Sequence, residues 1–100
     1  FPGGYLEYGE SFEEGAAREV EEECGVIVNT KDLHYITTIN VLGVEVGYHN
    51  VGINMLLYVQ KKDFNFKTME PEKNSEWRWV KWEEFAEYQP LFIPFKYYFQ

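Results

Sequence analysis

Three glutamates, Glu19, Glu22 and Glu23, have the spacing that brings carboxylates together on one side of a helix. At about 100° per residue, helix positions three or four apart are neighbours. Glu19 therefore forms two like-charged pairs, each of which destabilises an isolated helix by roughly 0.2–0.5 kcal/mol. A hard divalent cation reverses this repulsion, because Mg²⁺ takes carboxylate and phosphate oxygens as ligands. The spacing alone leaves two interpretations of about equal weight, a magnesium site and a solvated acidic helix.

The helix that must position these glutamates has marked ends. Ser11 and Glu14 have the spacing of a capping box, in which each side chain accepts a hydrogen bond from the other residue's backbone amide. Gly25 predicts the end of the helix. Another side of the helix carries the residues that we expect to be buried, namely Ala17, Val20 and Cys24. Gly15 leaves room on the glutamate side for the loop Gly3-Gly4-Tyr5 to approach.

Residues 4–26 resemble the complete signature of the Nudix hydrolases, G-x5-E-x7-R-E-U-x-E-E-x-G-U, in which U is apolar. The specified positions are occupied here by Gly4, Glu10, Arg18, Glu19, Val20, Glu22, Glu23, Gly25 and Val26. Such a pattern is far more specific than a lone glycine-rich loop. The segments around it, 5–11, 70–74 and 77–84, are similar to the MutT-like nucleotide triphosphate diphosphatases, especially the branch that acts on purine nucleotides, including oxidised and thio-substituted guanine.

The resemblance implies a fold of the α/β class, a Nudix α/β/α sandwich with a mixed sheet. The signature helix would lie on one side of the sheet, and a C-terminal helical segment from Phe95 to Gln100 on the other. Residues 1–100 would form a single Nudix domain. Because members of the family generally carry strands before the signature loop, we expect the chain to be N-terminally incomplete at Phe1. Unpaired sheet edges would then favour association into a homodimer.

The resemblance also implies an activity, the magnesium-dependent hydrolysis of a nucleoside diphosphate linked to another group. The expected substrate is a purine nucleoside triphosphate, cut to monophosphate and pyrophosphate. Glu19, Glu22 and Glu23 would hold Mg²⁺, for which Mn²⁺ can substitute, and Glu22 and Glu19 are both candidates for accepting the proton from water. Arg18 would be a structural ion-pair partner that orients Glu10 and Glu22. The alternatives are an ADP-ribose or dinucleotide pyrophosphatase, and an inert nucleotide-binding module.

Four residues are candidates for substrate binding, namely Gly3, Gly4, Tyr5 and Phe92. Tyr5 departs from similar enzymes, which often have histidine after the glycine pair. Phe92 stands where those enzymes present an aromatic residue to the purine, but Ile93 follows where tryptophan is frequent. Because of these departures, the sequence does not indicate which nucleotide base is bound. The acidic loop offers further carboxylates, of which similar enzymes sometimes add one to the metal site: Glu70, Glu72 and Glu76.

Composition excludes several kinds of partner. A net charge of −8 argues against polymeric nucleic acid and against an anionic membrane surface. A lone cysteine, Cys24, cannot form an internal disulfide and is typical of a reducing compartment. Because residues 1–100 show neither a signal-peptide pattern nor an apolar run long enough to cross a bilayer, we expect neither feature. We therefore expect a cytoplasmic protein that acts on a small nucleotide.

The rest of the chain predicts a hairpin, a strand and a short helix. The hairpin pairs Leu33–Leu42 with Val51–Gln60, whose segment 55–57 is apolar enough for burial on both faces. Glu76–Trp82 alternates as a strand should, and a helix begins at Trp82. The tryptophans at 77, 79 and 82 are expected in the core rather than on a base-stacking surface. His34 and His49 lack partners at metal-ligand spacing.

Overall fold

The structure, a computed structural model, describes residues 2–72 and 77–85. Along the chain it has the helix α1 (Phe12–Cys24), the strands β1 (Leu33–Gly43) and β2 (Tyr48–Leu57), and the short helix α2 (Trp82–Phe85). These described residues divide into two compact units, the first of residues 2–36, 55–72 and 77, and the second of residues 37–54 and 78–85. Phe92 and the predicted C-terminal helical segment lie outside the described residues.

The ends of α1, in the first unit, are those that the capping residues predict. Ser11 Oγ accepts a hydrogen bond from the Glu14 amide at 3.0 Å, and Glu14 Oε1 accepts one from the Ser11 amide at 2.8 Å. Gly25 adopts the left-handed conformation with φ 72° and donates its N–H to Glu21 O at 2.9 Å. Both the capping box and the glycine stop are confirmed, because each depends only on neighbours in sequence.

The buried side of α1 is narrower than the sequence predicts. Cys24 is buried, and burial raises the pKa of its thiol, as expected for a neutral core residue. Ala17 and Val20 are only half-buried, so the prediction of a fully buried stripe is wrong for these two. The last turn of α1 is covered because the backbone amide of Lys67 donates a hydrogen bond to Cys24 O at 2.7 Å. This bond holds the segment around Lys67 against Cys24.

β1 and β2 form an antiparallel hairpin, as predicted, and the described residues contain this two-stranded sheet. In the second unit the hairpin turns through a 3-10 turn at Val44–Val46 and then Gly47, which has φ 67°. Burial alternates along β1 from Thr37 to Gly43, and the side chain of Val41 is completely covered. This period of two is the signature of a strand with one covered face.

Three predictions about burial and strands are wrong. Residues 55–57 of β2 are half-buried rather than buried on both faces. Residues 77–81 form no strand, although α2 begins at Trp82 as predicted. Trp79 and Trp82 are 46% and 54% exposed, so neither is a core residue. The α/β class is confirmed, whereas the mixed sheet and second helical layer would require segments outside the described residues.

Candidate functional site

The loop at Gly3 and Gly4 lies directly against the glutamates of α1, as predicted. The Gly3 N–H donates a hydrogen bond to Glu23 Oε2 at 2.9 Å. A Cβ atom on Gly4 would lie 2.7 Å from Glu19 Cδ and 2.9 Å from Glu19 Oε2, which is closer than van der Waals contact allows. Glycine is therefore required at position 4 for this position of the Glu19 carboxylate, and the requirement is one of space rather than of backbone conformation.

Gly15 has a different neighbour from the one predicted. A Cβ atom there would lie 2.7 Å from Leu6 Cδ1 and 3.4 Å from Glu10 Oε1. The chain that approaches Gly15 is thus the later part of the loop, not Gly3-Gly4-Tyr5. The expectation that Gly15 allows a close approach is right, but the segment assigned to it is wrong.

Arg18 and Glu10 form a two-bond ion pair beneath this loop. Arg18 Nε donates to Glu10 Oε2 at 2.7 Å, and Nη2 donates to Glu10 Oε1 at 3.0 Å. The pairing with Arg18, followed by the hydrogen bond from the Glu7 amide, holds the pKa of the Glu10 carboxyl below its usual range. The pKa of Arg18 is raised in turn. Arg18 Nη2 also donates to Tyr5 O at 2.9 Å, which ties the loop to the helix.

The remaining nitrogen of Arg18 joins two of the predicted metal ligands. Nη1 donates to Glu19 Oε1 at 2.8 Å and to Glu22 Oε2 at 3.2 Å. The Glu19 side chain is 13% exposed and that of Glu22 is 50% exposed. The ion pairs of Arg18 with Glu10 and Glu22 confirm the sequence prediction, and the contact with Glu19 adds to it. One guanidinium therefore fixes the directions of three carboxylates.

The Glu23 carboxylate lies near two other carboxylates, those of Glu19 and Glu70. Burial raises the pKa of its carboxyl, and the nearby charges of Glu19 and Glu70 raise it further, whereas the Gly3 N–H lowers it. The position of Glu70 follows from a backbone contact, because the amide of the preceding Met69 donates to Glu23 O at 3.1 Å. The sequence indicates Glu70 as one of three candidates in an acidic loop, and the fold distinguishes it from Glu72, which is exposed.

The last turn of α1 concentrates negative charge at the negative end of the helix dipole. It carries Glu21, Glu22 and Glu23, and no basic residue. Anionic side chains are unfavourable at this end of a helix. The backbone carbonyls there receive donors from elsewhere in the first unit, including the indole N–H of Trp77, which donates to Glu23 O at 3.0 Å. Sequence reasoning assigned Trp77 to the core and missed this contact.

Comparison with protein-family models decides the family of this chain. A model described as NUDIX domain matches residues 1–99. The chain belongs to the Nudix family. Nudix proteins hydrolyse nucleoside diphosphates linked to another group and generally use divalent metal ions such as Mg²⁺, so this chain is identified as a hydrolase of that general class. No helix in the described part of this Nudix chain is both long and apolar enough to cross a membrane.

The donor set of this Nudix site fits a divalent cation in its chemistry and charge. All three predicted ligands are carboxylates, and Glu19 and Glu23 repel each other without a cation between them. Within residues 2–72 and 77–85, no three His, Cys, Asp or Glu side chains are already grouped to hold a metal ion. The carboxylates have other partners here: Arg18 Nη1 donates to Glu19 and Glu22, and Glu23 Oε2 accepts the Gly3 N–H.

Three of the four predicted substrate-binding residues lie within the described part of the chain. Gly3 and Gly4 lie at the glutamates, and the backbone of Tyr5 is held by Arg18 while its side chain is 81% exposed. An aromatic ring in this position is available to a ligand, and Tyr5 stays a prediction. Phe92, the fourth candidate, lies outside the described residues.

Proposed function

We propose that this Nudix protein is a magnesium-dependent hydrolase that cuts a purine nucleoside triphosphate, oxidised purines included, to monophosphate and pyrophosphate. The observation that carries the proposal is the excess negative charge of Glu19 and Glu23, held in place beside the Gly3-Gly4 loop. Such an arrangement destabilises the free protein and favours binding of a cation together with its phosphate ligands. Mn²⁺ is expected to substitute for Mg²⁺.

Each residue of the site has a separate task in this proposal. Glu19, Glu22 and Glu23 would hold the cation, and Arg18 keeps the first two of these carboxylates in fixed directions. When bound, a divalent cation neutralises phosphate oxygens and lowers the pKa of the attacking water. The Gly3-Gly4 loop lies close enough to the carboxylates for its backbone to contact the substrate phosphates, because neither residue carries a side chain.

Hydrolysis needs a base as well as a site for the cation. The water oxygen forms a bond to phosphorus, the bridging P–O bond breaks, and the proton released from water must pass to a carboxylate. Glu22 is half-exposed and has one oxygen engaged by Arg18, so it is open to solvent water. Glu19 is more buried but lies against the loop. Both remain candidates for this proton transfer.

The test begins with calorimetric titration of Mg²⁺, followed by chromatographic measurement of the nucleoside monophosphate formed from a panel of purine and pyrimidine triphosphates, ADP-ribose and dinucleotides. Preference for a purine triphosphate supports the proposal. Turnover of ADP-ribose or a dinucleotide alone would show that this compound, and not a purine triphosphate, is the substrate. Mg²⁺ binding without any turnover would identify an inert binding module. Glu21→Gln is the matched control for substitutions in the site, because Glu21 is an exposed glutamate of the same turn.

A further inference from the structure

The main-chain oxygen of Glu23 accepts two hydrogen bonds from outside α1. One comes from the backbone amide of Met69 at 3.1 Å, and the other from the indole Nε1 of Trp77 at 3.0 Å. Trp77 is 54 residues away in sequence and is half-buried. The side chain of the same glutamate accepts the Gly3 N–H at 2.9 Å. Glu23 is therefore held on its main-chain side by Trp77 and Met69 and on its side-chain side by the loop.

Helix ends explain why these donors matter. The last carbonyl groups of an α-helix have no partner within the helix, and their partial negative charge adds to that of nearby carboxylates. In α1 the Gly25 amide satisfies Glu21 O, and the Lys67 amide satisfies Cys24 O. The Trp77 indole and the Met69 amide do the same for Glu23. These contacts fix the backbone from which the Glu23 side chain extends.

We propose that Trp77 is a positioning residue for the cation site: its indole N–H fixes the last turn of α1 and thereby the direction of the Glu23 carboxylate. The inference rests on the proposed function, since it assigns Trp77 a role in that same site. A tryptophan that only filled space would need no donor aimed at this carbonyl, whereas a half-buried indole N–H normally finds a partner and here finds the backbone of a predicted ligand.

The decisive variant is Trp77→Phe, which keeps an aromatic ring and removes the N–H donor. Its matched control is Trp79→Phe, the same substitution at an exposed tryptophan two positions further along. We expect Trp77→Phe to weaken Mn²⁺ binding, measured by electron paramagnetic resonance below the melting temperature, by about tenfold. We expect kcat to fall by a similar factor with little change in KM. Trp79→Phe should change neither quantity appreciably.

A purely structural role for Trp77 gives a different result. Trp77→Phe would then lower the melting temperature while leaving the Mn²⁺ affinity and kcat of the folded protein at their wild-type values, and this outcome would overturn the proposal. A double-mutant cycle on kcat adds an independent criterion. If Trp77 acts through Glu23, then Trp77→Phe in a Glu23→Gln background should cause little further loss. If the two substitutions instead reduce kcat by independent factors that multiply in the double variant, that result also overturns the proposal.

Amide hydrogen exchange separates this inference from the proposed function, because it needs no cation. In the metal-free protein, the Met69 amide should exchange faster in Trp77→Phe than in Trp79→Phe, since the Glu23 carbonyl loses its second donor and the helix end loosens. Unchanged exchange would contradict the positioning role even in an active enzyme. If the wild-type protein neither binds Mn²⁺ nor hydrolyses nucleotides, the proposed function fails, whatever the exchange result.

Discussion

Arg18 holds Glu10 through two parallel hydrogen bonds, from Nε to Oε2 at 2.7 Å and from Nη2 to Oε1 at 3.0 Å. This geometry uses the planar fork of the guanidinium, and it leaves Nη1 free to reach Glu19 and Glu22. One side chain thus joins the structural carboxylate Glu10 to the predicted ligands. The Arg18–Glu10 ion pair thus connects the loop before α1 to the glutamate face of the helix.

Arg18→Lys tests this connection. A lysine keeps the positive charge but is a point donor without the planar fork, so it cannot hold Glu10 with two bonds while orienting Glu19 and Glu22. We expect kcat to fall by about tenfold or more, with a lower melting temperature. The control is Arg78→Lys, at an exposed arginine of the second unit. Near-normal turnover in Arg18→Lys would show that charge alone suffices.

The Glu10 pairing also predicts how stability depends on pH. Because Arg18 lowers the folded-state pKa of Glu10, the stabilisation is fully present above the unfolded-state pKa and is lost as the pH falls through the folded-state value. Glu10→Gln should therefore be less stable than wild type near neutral pH, and the difference should shrink as the pH falls below about 4.3.

Urea unfolding at a series of pH values measures this difference. Glu45→Gln, at an exposed glutamate in the hairpin turn, is the control. A destabilisation of Glu10→Gln that stays constant down to the lowest pH would contradict the assignment, because it would show that the charge of Glu10 is not what stabilises the fold.

Glu23→Gln should separate activity from stability. The amide oxygen of glutamine can still accept the Gly3 N–H, while the repulsion with Glu19 and Glu70 is removed. Without Mg²⁺ we expect a slightly higher melting temperature, and with Mg²⁺ a turnover reduced by about 100-fold. Glu22→Gln should reduce turnover similarly, and Glu21→Gln should not. A marked loss of stability in Glu23→Gln would instead identify Glu23 as a structural partner.

Gly4→Ala tests the close approach of the loop to Glu19. The new methyl group would overlap the Glu19 carboxylate and force it away from its position against Arg18. Because Arg18 keeps both of its hydrogen bonds to Glu10, the cost to the fold is small. We expect the melting temperature to change little, while Mg²⁺ affinity falls by about tenfold. A Cβ atom on Gly3 meets no other atom within 4 Å, so Gly3→Ala should weaken Mg²⁺ binding far less. Calorimetry on both variants checks the prediction, and equal affinities would refute it.

Local interactions in the sequence were enough to predict α1 and the face that carries the glutamates. The capping box at Ser11 and the glycine stop at Gly25 involve residues within one turn of each other, and the helical period then places Glu19, Glu22 and Glu23. The hairpin of β1 and β2 was predictable for the same reason, since its turn lies between adjacent strands.

Only the tertiary structure decided which groups meet these glutamates. The Gly3 amide reaches Glu23 across 20 residues, and the Trp77 indole reaches it across 54. Alternation over Glu76–Trp82 predicted a strand, but alternation does not indicate whether a partner strand is present or which N–H group will bind a helix end. Such contacts depend on how segments far apart in sequence pack together. The local conformational propensities of the residues carry no information about that packing.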